Sequence, residues 1–429
     1  MKKNQYMVLA GVLVLCLSMG LGSLSALAEP VTIQYYTLAW QPGVVKAIQR
    51  ISREWNEANP DIQVDVVWGS WTSVNEFLLT SFLGGEAPDI FHTDAVMCYE
   101  YGALGFGAPL NGYLTEDARA DVSQWMWDSA SDYEGNIFGY PFLVETHVIF
   151  YNRTLFRNAG IEVPENSEIS WDQLIDYSQR VTARDESGEV TTWGLMAPVS
   201  WEKFPWMLVA QNGGNIVSRQ DDGTWVVDVD DAAREALSYY CDFVTRWDVM
   251  STEAISNDYT TLVSAFSQEQ HAMVVFGCWN RRILALWDTV DWGMLHLTGP
   301  VNNITSGGPQ AHGIWAGSPH KEEAALFLDY ISSGQNSIDI AYPDWVFPAR
   351  TSLQSDPRFM AEENQWDLAQ GWLDYAIDIW PTMPTIIAFD MRVVVPELEQ
   401  VILGNKSLDD AIDAMEKNGN EYLQQVGLQ

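Results

Sequence analysis

The chain that follows the N-terminal apolar run alternates between strand patterns and helix patterns, and this alternation limits the possible folds more than any other feature. An apolar, β-prone run at 31–36 precedes apolar residues at helical spacing over 44–55. Alternating apolar residues at 62–68, a second helical stretch at 71–83 and a short apolar run at 88–91 continue the order β-α-β-α-β. Strands that alternate with helices of this length predict a largely parallel sheet covered on both faces.

The first residues have the pattern of a secretory signal. A lysine pair precedes an apolar run that ends at an A-x-A sequence, so we predict a signal peptide over residues 1–28. The mature protein is then expected in the periplasm or outside the cell. An uncleaved membrane anchor is the alternative. Cys16 lies within the apolar run and no polar tether follows it, so a lipid anchor is not expected.

Size and charge narrow the class of protein. About 400 residues remain after the signal, which is too many for one hydrophobic core, so two domains of about 200 residues each are expected. The 58 acidic residues outnumber the 22 basic ones and give a formal net charge of −36. This charge disfavours nucleic acid and anionic membrane surfaces, and it favours neutral or cationic ligands.

The cysteines and histidines predict no disulfide framework and no metal site. Cys98, Cys241 and Cys278 lack C-x-x-C spacing, so we expect them to be buried thiols, with one disulfide as the alternative. The six histidines show no H-E-x-x-H or other paired spacing. Neither a metal nor another cofactor is therefore expected.

The stretch FGYPFLVETHVIFYNRTLFRNAGI at 138–161 joins a turn, a strand and a helix. Proline at 141 favours a loop, the apolar residues at 148–151 predict a strand, and Gly160 suits a helix end. Three polar residues at 145–147 interrupt this apolar passage. The stretch resembles the hinge-crossing segment of the extracellular solute-binding proteins (family 1) that serve carbohydrate ABC importers.

Four further segments resemble motifs of that family in the expected order, so the likeness spans nearly the whole mature chain. They are LGGEAPDIF at 83–91, FSQEQHAMVVFGCWN at 266–280, GSPHKEEAALFLDYISS at 317–333 and FPAR at 347–350. Two features depart from the family pattern. Gln270 replaces a usual glycine, and the segment 300–312 is unusually rich in Gly, Asn and Ser.

The resemblance implies a periplasmic-binding-protein-like fold, in which two α/β lobes are built from discontinuous segments and joined by a hinge. We expect the first lobe to contain residues 29–143 and 284–344, and the second to contain 144–283 and 345–429. The hinge is expected near 142–145 and to close on a ligand. The resemblance also implies no catalysis and delivery of the ligand to a membrane permease.

Tryptophans at strand ends are the main candidates for ligand contacts. Trp40, Trp279 and Trp315 each follow a predicted strand, and ligands of open α/β sheets bind beyond the carboxyl ends of strands. An indole covers the C–H face of a sugar, while neighbouring polar groups satisfy its hydroxyls. Core packing is the alternative for each of them. The full set of candidate ligand-binding residues is Trp40, Trp71, Asp94, Glu145, Trp201, Trp279, Trp315 and Arg350.

Three of the candidates have specific alternative roles. Asp94 could be a surface carboxylate and Glu145 a hydrogen-bonding group of the hinge. Arg350, in the PAR turn, could anchor a lobe instead of a ligand. Three further tryptophans lie at helical core spacing and are expected to be structural: Trp55, Trp171 and Trp287.

The sequence thus predicts a monomeric, exported protein that binds a neutral sugar or oligosaccharide and delivers it to an ABC permease. A secreted glycoside hydrolase is one alternative, because two catalytic carboxylates could be chosen among so many acidic residues, but none stands out. The segment 200–203 fits S-x-x-K, yet the accompanying S-D-N and K-T-G motifs are absent. A protein that presents its ligand to a chemoreceptor is the other alternative.

Overall fold

A computed structural model of the protein describes residues 30–200, 203–255 and 259–429. Its strands are β1 (Val31–Leu38), β2 (Ile62–Gly69), β3 (Ile90–Asp94), β4 (Tyr140–Val144), β5 (His147–Asn152), β6 (Glu168–Ser170), β7 (Ala183–Arg184), β8 (Val190–Thr192), β9 (Val217–Arg219), β10 (Trp225–Val227), β11 (Met273–Gly277), β12 (Trp292–Thr298), β13 (Thr305–Ser306), β14 (Gln310–Ile314), β15 (Phe347–Pro348) and β16 (Ala376–Ile377).

The α-helices are α1 (Pro42–Ala58), α2 (Val74–Gly84), α3 (Ala95–Ala103), α4 (Glu116–Asp121), α5 (Gln124–Ser129), α6 (Arg153–Asn158), α7 (Trp171–Val181), α8 (Phe204–Gln211), α9 (Asp231–Thr245), α10 (Tyr259–Ser267), α11 (Arg281–Trp287), α12 (Lys321–Ile331), α13 (Gly334–Asp344), α14 (Trp366–Gly371), α15 (Ile386–Phe389), α16 (Val395–Ile402) and α17 (Leu408–Gln425). Short 3-10 turns occur at Thr252–Ile255, Cys278–Asn280, Thr351–Leu353, Glu363–Gln365 and Trp372–Tyr375, and a π-helical turn occurs at Asp390–Val394.

The first sheet has six strands in the order β15-β4-β14-β3-β1-β2. Strand β1 is parallel to both β2 and β3, as the β-α-β-α-β order predicted. The other three strand pairs of this sheet are antiparallel, so the prediction of a largely parallel sheet is wrong beyond β1, β2 and β3. Strand β14 is antiparallel to both β3 and β4. The carboxyl ends of β1, β2, β3 and β4 therefore lie at one edge of this sheet, and β14 begins there.

Helix α1 shows why the first lobe forms its core where the sequence pattern predicts it. Pro42 begins the helix, where its missing N–H breaks no helical hydrogen bond. Val44, Ile48 and Ile51 are buried on one face. Trp55 is also buried, and its Nε1 donates to the carbonyl of Ile62 at 3.0 Å, so its predicted structural role is confirmed.

The second sheet has four strands in the order β11-β5-β12-β6. Strand β5 is antiparallel to its two neighbours, and β12 is parallel to β6. Ser170 caps α7 through the capping box predicted with Gln173. Trp171 stacks on Tyr239 with ring centroids 4.3 Å apart, in agreement with its predicted structural role. Helices α8, α9, α16 and α17 pack against one another, and α8 also contacts β13.

The chain passes between the two lobes three times, so each lobe is built from discontinuous segments as predicted. Strands β13 and β16, at two of these crossings, form a separate two-stranded sheet. The first crossing joins β4 to β5 through the two residues at 145–146. The second joins β13 to β14. The third joins β15, which pairs with β4, to β16, which pairs with β13.

The predicted lobe boundaries need correction at two places. Strand β12 lies in the second sheet, paired with β5 and β6, although the expected boundary at 284 placed it in the first lobe. Strand β15 lies in the first sheet, although the expected boundary at 345 placed it in the second lobe. The apolar pattern of a strand shows that it is buried, but it does not show which sheet the strand joins.

The interior is mainly apolar, includes buried polar and charged side chains, and contains free thiols. Cys98, Cys241 and Cys278 are buried and unpaired, which confirms the prediction of buried thiols. Within the described residues, none of the helices combines the length and the apolar character needed to cross a bilayer. The predicted signal peptide at 1–28 lies outside those residues.

Candidate functional site

The two sheets present one edge each to the hinge, and these edges form the candidate site. Strand β4 ends at Val144 and β5 begins at His147, so the carboxyl edge of the first sheet adjoins the edge of the second sheet where β5 starts. Gly277, the last residue of β11, pairs with His147 at that second edge. Side chains that follow β1, β2 and β3 therefore lie near those that follow β11.

An aromatic group forms the first-sheet side of the site. The ring centroids of Trp40 and Trp71 are 5.7 Å apart, and the His92 ring lies 5.4 Å from Trp40 and 5.6 Å from Trp71. Both tryptophans are half-buried. The structure therefore brings together two of the predicted tryptophans, with part of each indole facing solvent.

A buried polar chain holds this aromatic group in place. The Trp40 Nε1 donates a hydrogen bond to the carboxylate of Asp344, at the end of α13. His92 Nε2 lies 3.0 Å from the Oε1 of Gln310, and His92 Nδ1 lies 3.1 Å from the Thr37 hydroxyl. Burial lowers the pKa of His92 to about 3, so the ring is neutral near pH 7 and carries its proton on Nε2, facing the Gln310 oxygen.

Asp344 is a buried carboxyl with three partners that stabilise its ionised form. Burial raises its pKa to about 7, while the Trp40 N–H, the Arg282 charge and the Gln310 side chain act to lower it. Arg282 follows Trp279 in the chain and lies in α11, beside the second sheet. The Asp344 carboxyl therefore titrates near neutral pH, at the contact between the lobes.

Asp344→Asn is expected to stabilise the protein in a pH-dependent way. The Asp344 carboxyl has a pKa of 3.8 in the unfolded chain and of about 7 in the folded protein. Between these pH values the folded protein keeps a proton that the unfolded chain has lost, so the contribution of Asp344 to stability falls as pH rises through this window. Asparagine keeps an acceptor for the Trp40 N–H and never ionises. In thermal melts, the gain in Tm of Asp344→Asn over wild type should grow across the window and level off above it. A gain that does not change with pH would contradict this prediction.

Trp279 lies at the second-sheet edge, where the sequence predicted it. It stands in the 3-10 turn directly after β11, is half-buried, and meets the His147 ring edge-on at a centroid distance of 5.7 Å. Its indole folds back over Gly277, because a Cβ added to Gly277 would lie only 1.4 Å from the ring. The missing side chain of Gly277 is therefore what makes room for the indole.

A group of charges completes the site, and most of it was missed by sequence reasoning. Asp94, at the end of β3, is half-buried, and burial raises its pKa to about 6, while Lys203 lowers it and Asp378 raises it. Lys203 Nζ lies 4.1 Å above the Trp380 ring. Burial also raises the pKa of Asp378, and Lys203 again lowers it. A lysine from before α8 thus faces carboxylates from both lobes.

Glu145 lies in the first crossing between the lobes. Its carbonyl accepts a hydrogen bond from the Gly308 N–H at 3.2 Å, and a Cβ on Gly308 would lie 2.6 Å from the Glu145 Oε1. The two crossings at 145–146 and 307–309 are therefore in direct contact. This geometry agrees with the hinge role considered for Glu145.

Trp315 does not lie with the other candidates, and its predicted place is wrong. Strand β14 is antiparallel to β3, so its last residue, Ile314, pairs with the first residue of β3. The Trp315 N–H donates to the carbonyl of Asp89 at 3.0 Å, at the opposite end of the first sheet from the site. The prediction failed because it assumed that all strands run in the same direction, so that all of their carboxyl ends would lie at one edge of the sheet.

Arg350 also lies away from the site, and it anchors the first lobe. Its side chain is 5% exposed and donates to Asp117 at 2.6 Å and to Asp329 at 2.7 Å. It also donates to the hydroxyl of Tyr140, the first residue of β4, which is at the opposite end of that strand from the hinge. These contacts support the anchoring alternative given for Arg350.

Two other tryptophans need comment. Trp287 is 41% exposed at the end of α11, so its predicted core position is wrong. Helical spacing indicated one face of α11 but not that this face points outward. Trp201 lies outside the described residues.

Within the described ranges, no group of three or more His, Cys, Asp or Glu side chains is placed to hold a metal ion.

A concavity of about 420 Å³ lies elsewhere on the second lobe. Its lining includes Arg153, Asp288 and Glu362. It lies beside Trp292, which pairs with Asn152 at the far end of β5 from the hinge. Because it lies at the opposite end of β5 from His147 and its lining contains neither of the paired indoles, we place the ligand site at the edges.

Two α/β lobes built from alternating segments of one chain, with aromatic and charged side chains at their facing edges, define the class of hinged ligand-binding proteins. The sequence matches the family described as bacterial extracellular solute-binding protein over residues 37–336. The chain belongs to this family, which confirms the resemblance carried by its motifs.

An uncharacterised lipoprotein of Streptomyces antibioticus is 30% identical over 345 residues, covering 79% of this chain and 74% of the relative.

Two solved structures share the fold. An ABC substrate-binding protein from Listeria monocytogenes, in complex with cycloalternan, has a TM-score of 0.77 at 24% identity and covers 94% of this chain and 100% of its own. The cyclic α-maltosyl-1,6-maltose binding protein from Arthrobacter globiformis has a TM-score of 0.77 at 20% identity and covers 92% and 100%. These similarities confirm the periplasmic-binding-protein-like fold.

Proposed function

We propose that the protein captures a neutral sugar or oligosaccharide outside the cytoplasmic membrane and delivers it to the permease of an ABC importer. The observation that carries this proposal is the placement of Trp40, Trp71 and Trp279 at two facing sheet edges, beside carboxylate groups. An indole covers the apolar face of a sugar ring, and carboxylates accept hydrogen bonds from its hydroxyls. The protein acts without catalysis or cofactor, as a monomer, and does not bind nucleic acid.

The charges at the site favour a ligand without negative charge. Asp94, Asp344 and Asp378 face Lys203 and Arg282, so acidic groups outnumber basic ones. An anionic ligand would add repulsion to a region where burial already disfavours the ionised carboxyls. The oligosaccharide complex of the Listeria protein and the oligosaccharide-binding name of the Arthrobacter protein support the same class of ligand.

Closure of the lobes is part of the proposed binding. The chain crosses between the lobes three times, and the first two crossings touch at Glu145 and Gly308. A sugar that contacts Trp40 on one lobe and Trp279 on the other does so fully only when the lobes are closed. Such a sugar shifts the population towards the closed state, because its differential contacts stabilise that state.

Isothermal titration against a panel of neutral mono- and oligosaccharides tests the proposal, with sugar phosphates, amino acids and polyamines as controls. We expect at least one neutral sugar to bind and to be recovered chemically intact. Binding of amino acids or polyamines alone would contradict the proposal, and hydrolysis of the sugar would favour the glycoside hydrolase alternative. Loss of uptake of that sugar when the gene is deleted would favour a permease over a chemoreceptor as the partner.

A further inference from the structure

Arg281 is a fully buried guanidinium that is held by backbone carbonyls. Its Nε donates to the carbonyl of Cys278 at 2.8 Å, and its Nη2 donates to the carbonyl of Trp345 at 3.0 Å. Its Nη1 donates to the carbonyl of Gln365 at 3.4 Å. Within the described part of the chain, Arg281 forms no ion pair. Burial lowers its pKa to about 10, which leaves it charged at neutral pH.

Aromatic rings surround the same guanidinium. Its Cζ lies 4.1 Å from the ring centroid of Trp366, 5.7 Å from that of Phe347 and 5.8 Å from that of Trp345. Cation–π attraction to these rings compensates part of the cost of removing the charge from water. Arginine suits this position because its donors are spread over three nitrogens of a planar fork and reach carbonyls in different directions, whereas the donors of an ammonium share one nitrogen.

The three carbonyls belong to three separate parts of the chain. Cys278 begins the 3-10 turn that carries Trp279 at the second-sheet edge. Trp345 follows α13 and directly precedes the β15 segment of the first sheet. Gln365 lies in the third crossing, and its side chain accepts a hydrogen bond from the Met294 N–H in β12. One side chain therefore connects the Trp279 turn to the first lobe and to the third crossing.

The Trp279 turn depends on these contacts. Within the turn, the Nδ2 of the buried Asn280 donates to the carbonyl of Gly277 at 3.2 Å, and Arg281 holds the next carbonyl, that of Cys278. Together these donors fix the two carbonyls that directly precede the residue that projects the indole. Loss of the guanidinium leaves the buried Cys278 carbonyl and two part-buried carbonyls, those of Trp345 and Gln365, without this donor.

We propose that Arg281 is a positioning residue for ligand binding: it holds the Trp279 turn in its binding geometry and ties that turn to the first lobe, so that the lobes close about a fixed point. The proposal rests on the sugar-binding function proposed above. Arg281 itself makes no contact with the sugar. It acts through the backbone of the turn and through the position of the third crossing.

The test compares Arg281→Met and Arg281→Lys with the matched control Arg350→Met. Arg350 is also a buried arginine, but its partners lie at the outer end of the first sheet. Both methionine variants should melt at lower temperature than wild type. Only Arg281→Met should bind the tightest-binding neutral sugar of the titration panel about tenfold more weakly, well below the melting temperature. Arg281→Lys keeps the charge with fewer reachable acceptors, so its affinity should fall between those of Arg281→Met and wild type.

Small-angle scattering supplies a readout that does not depend on the sugar. Without sugar, Arg281→Met should have a larger radius of gyration than wild type, because the side chain that links the Trp279 turn to the first lobe is lost. Arg350→Met should have the radius of gyration of wild type. Arg281→Met with wild-type affinity and wild-type scattering would overturn the proposal. If Arg281→Met does not fold, wild-type affinity and scattering of Arg281→Lys would overturn it. Failure of wild type to bind any neutral sugar would instead overturn the proposed function, and the sugar-free scattering would still test the tie between the lobes.

Discussion

Trp279→Ala is expected to bind its sugar roughly ten- to a hundredfold more weakly than wild type. The indole is half-buried at the second-sheet edge, and covering a sugar face with it removes apolar surface from water, worth about 1–3 kcal/mol. Because the ring is not fully buried in the free protein, its removal should cost less stability than the roughly 3–5 kcal/mol typical of a core tryptophan. Titration calorimetry and thermal melting on the same variant measure both effects.

Trp315→Ala is the matched control for this prediction. Trp315 is also half-buried, but it lies at the opposite end of the first sheet. Its replacement should lower the melting temperature and leave the affinity unchanged. A Trp279→Ala variant that melts early yet binds with wild-type affinity would show that the indole serves packing and not the ligand.

Gly277→Ala is expected to lower affinity about as much as Trp279→Ala, although it adds only one methyl group. The backbone of Gly277 has φ −66° and ψ 148°, which any residue adopts without strain. The added Cβ would lie 1.4 Å from the Trp279 ring, so the indole must leave its position over the strand. The loss should be roughly ten- to a hundredfold by calorimetry, because the same stacking surface is lost.

The double variant Gly277→Ala with Trp279→Ala separates this cause from others. Once the indole is absent, the extra methyl group meets no ring, so the double variant should bind as weakly as Trp279→Ala alone. The two losses are thus expected to be non-additive, as for residues in direct contact. If the two losses of affinity were fully additive, Gly277 would affect binding in some way other than by making room for the Trp279 indole.

The sequence could predict the parts of the fold that depend on local patterns. Strand and helix periodicity located β1, α1 and β3, and the S-x-x-Q pattern located the start of α7. Trp279 could also be placed, because it follows a buried strand through a glycine. These features depend on neighbouring residues in the chain, so their signals are present in a short window.

Features that depend on distant pairing could not be predicted. Strand β14 is antiparallel to β3, so Trp315 lies at the opposite edge of the sheet from the candidate site. Nothing in the sequence of β14 shows its direction. Lys203 and Trp380 face each other only because the third crossing returns the chain to the hinge. Asp344 closes a helix in an ordinary sequence context, yet burial against Trp40 makes it part of the site.

A crystal structure of the protein with the tightest-binding neutral sugar tests the central claim most directly. We expect the sugar between the two sheet edges, with one ring against Trp279 and hydroxyls within hydrogen-bond distance of Asp94. Trp40 and Trp71 should contact the same sugar from the other lobe. A sugar bound instead in the groove lined by Arg153, Asp288 and Glu362, with the hinge edges empty, would contradict the proposed site.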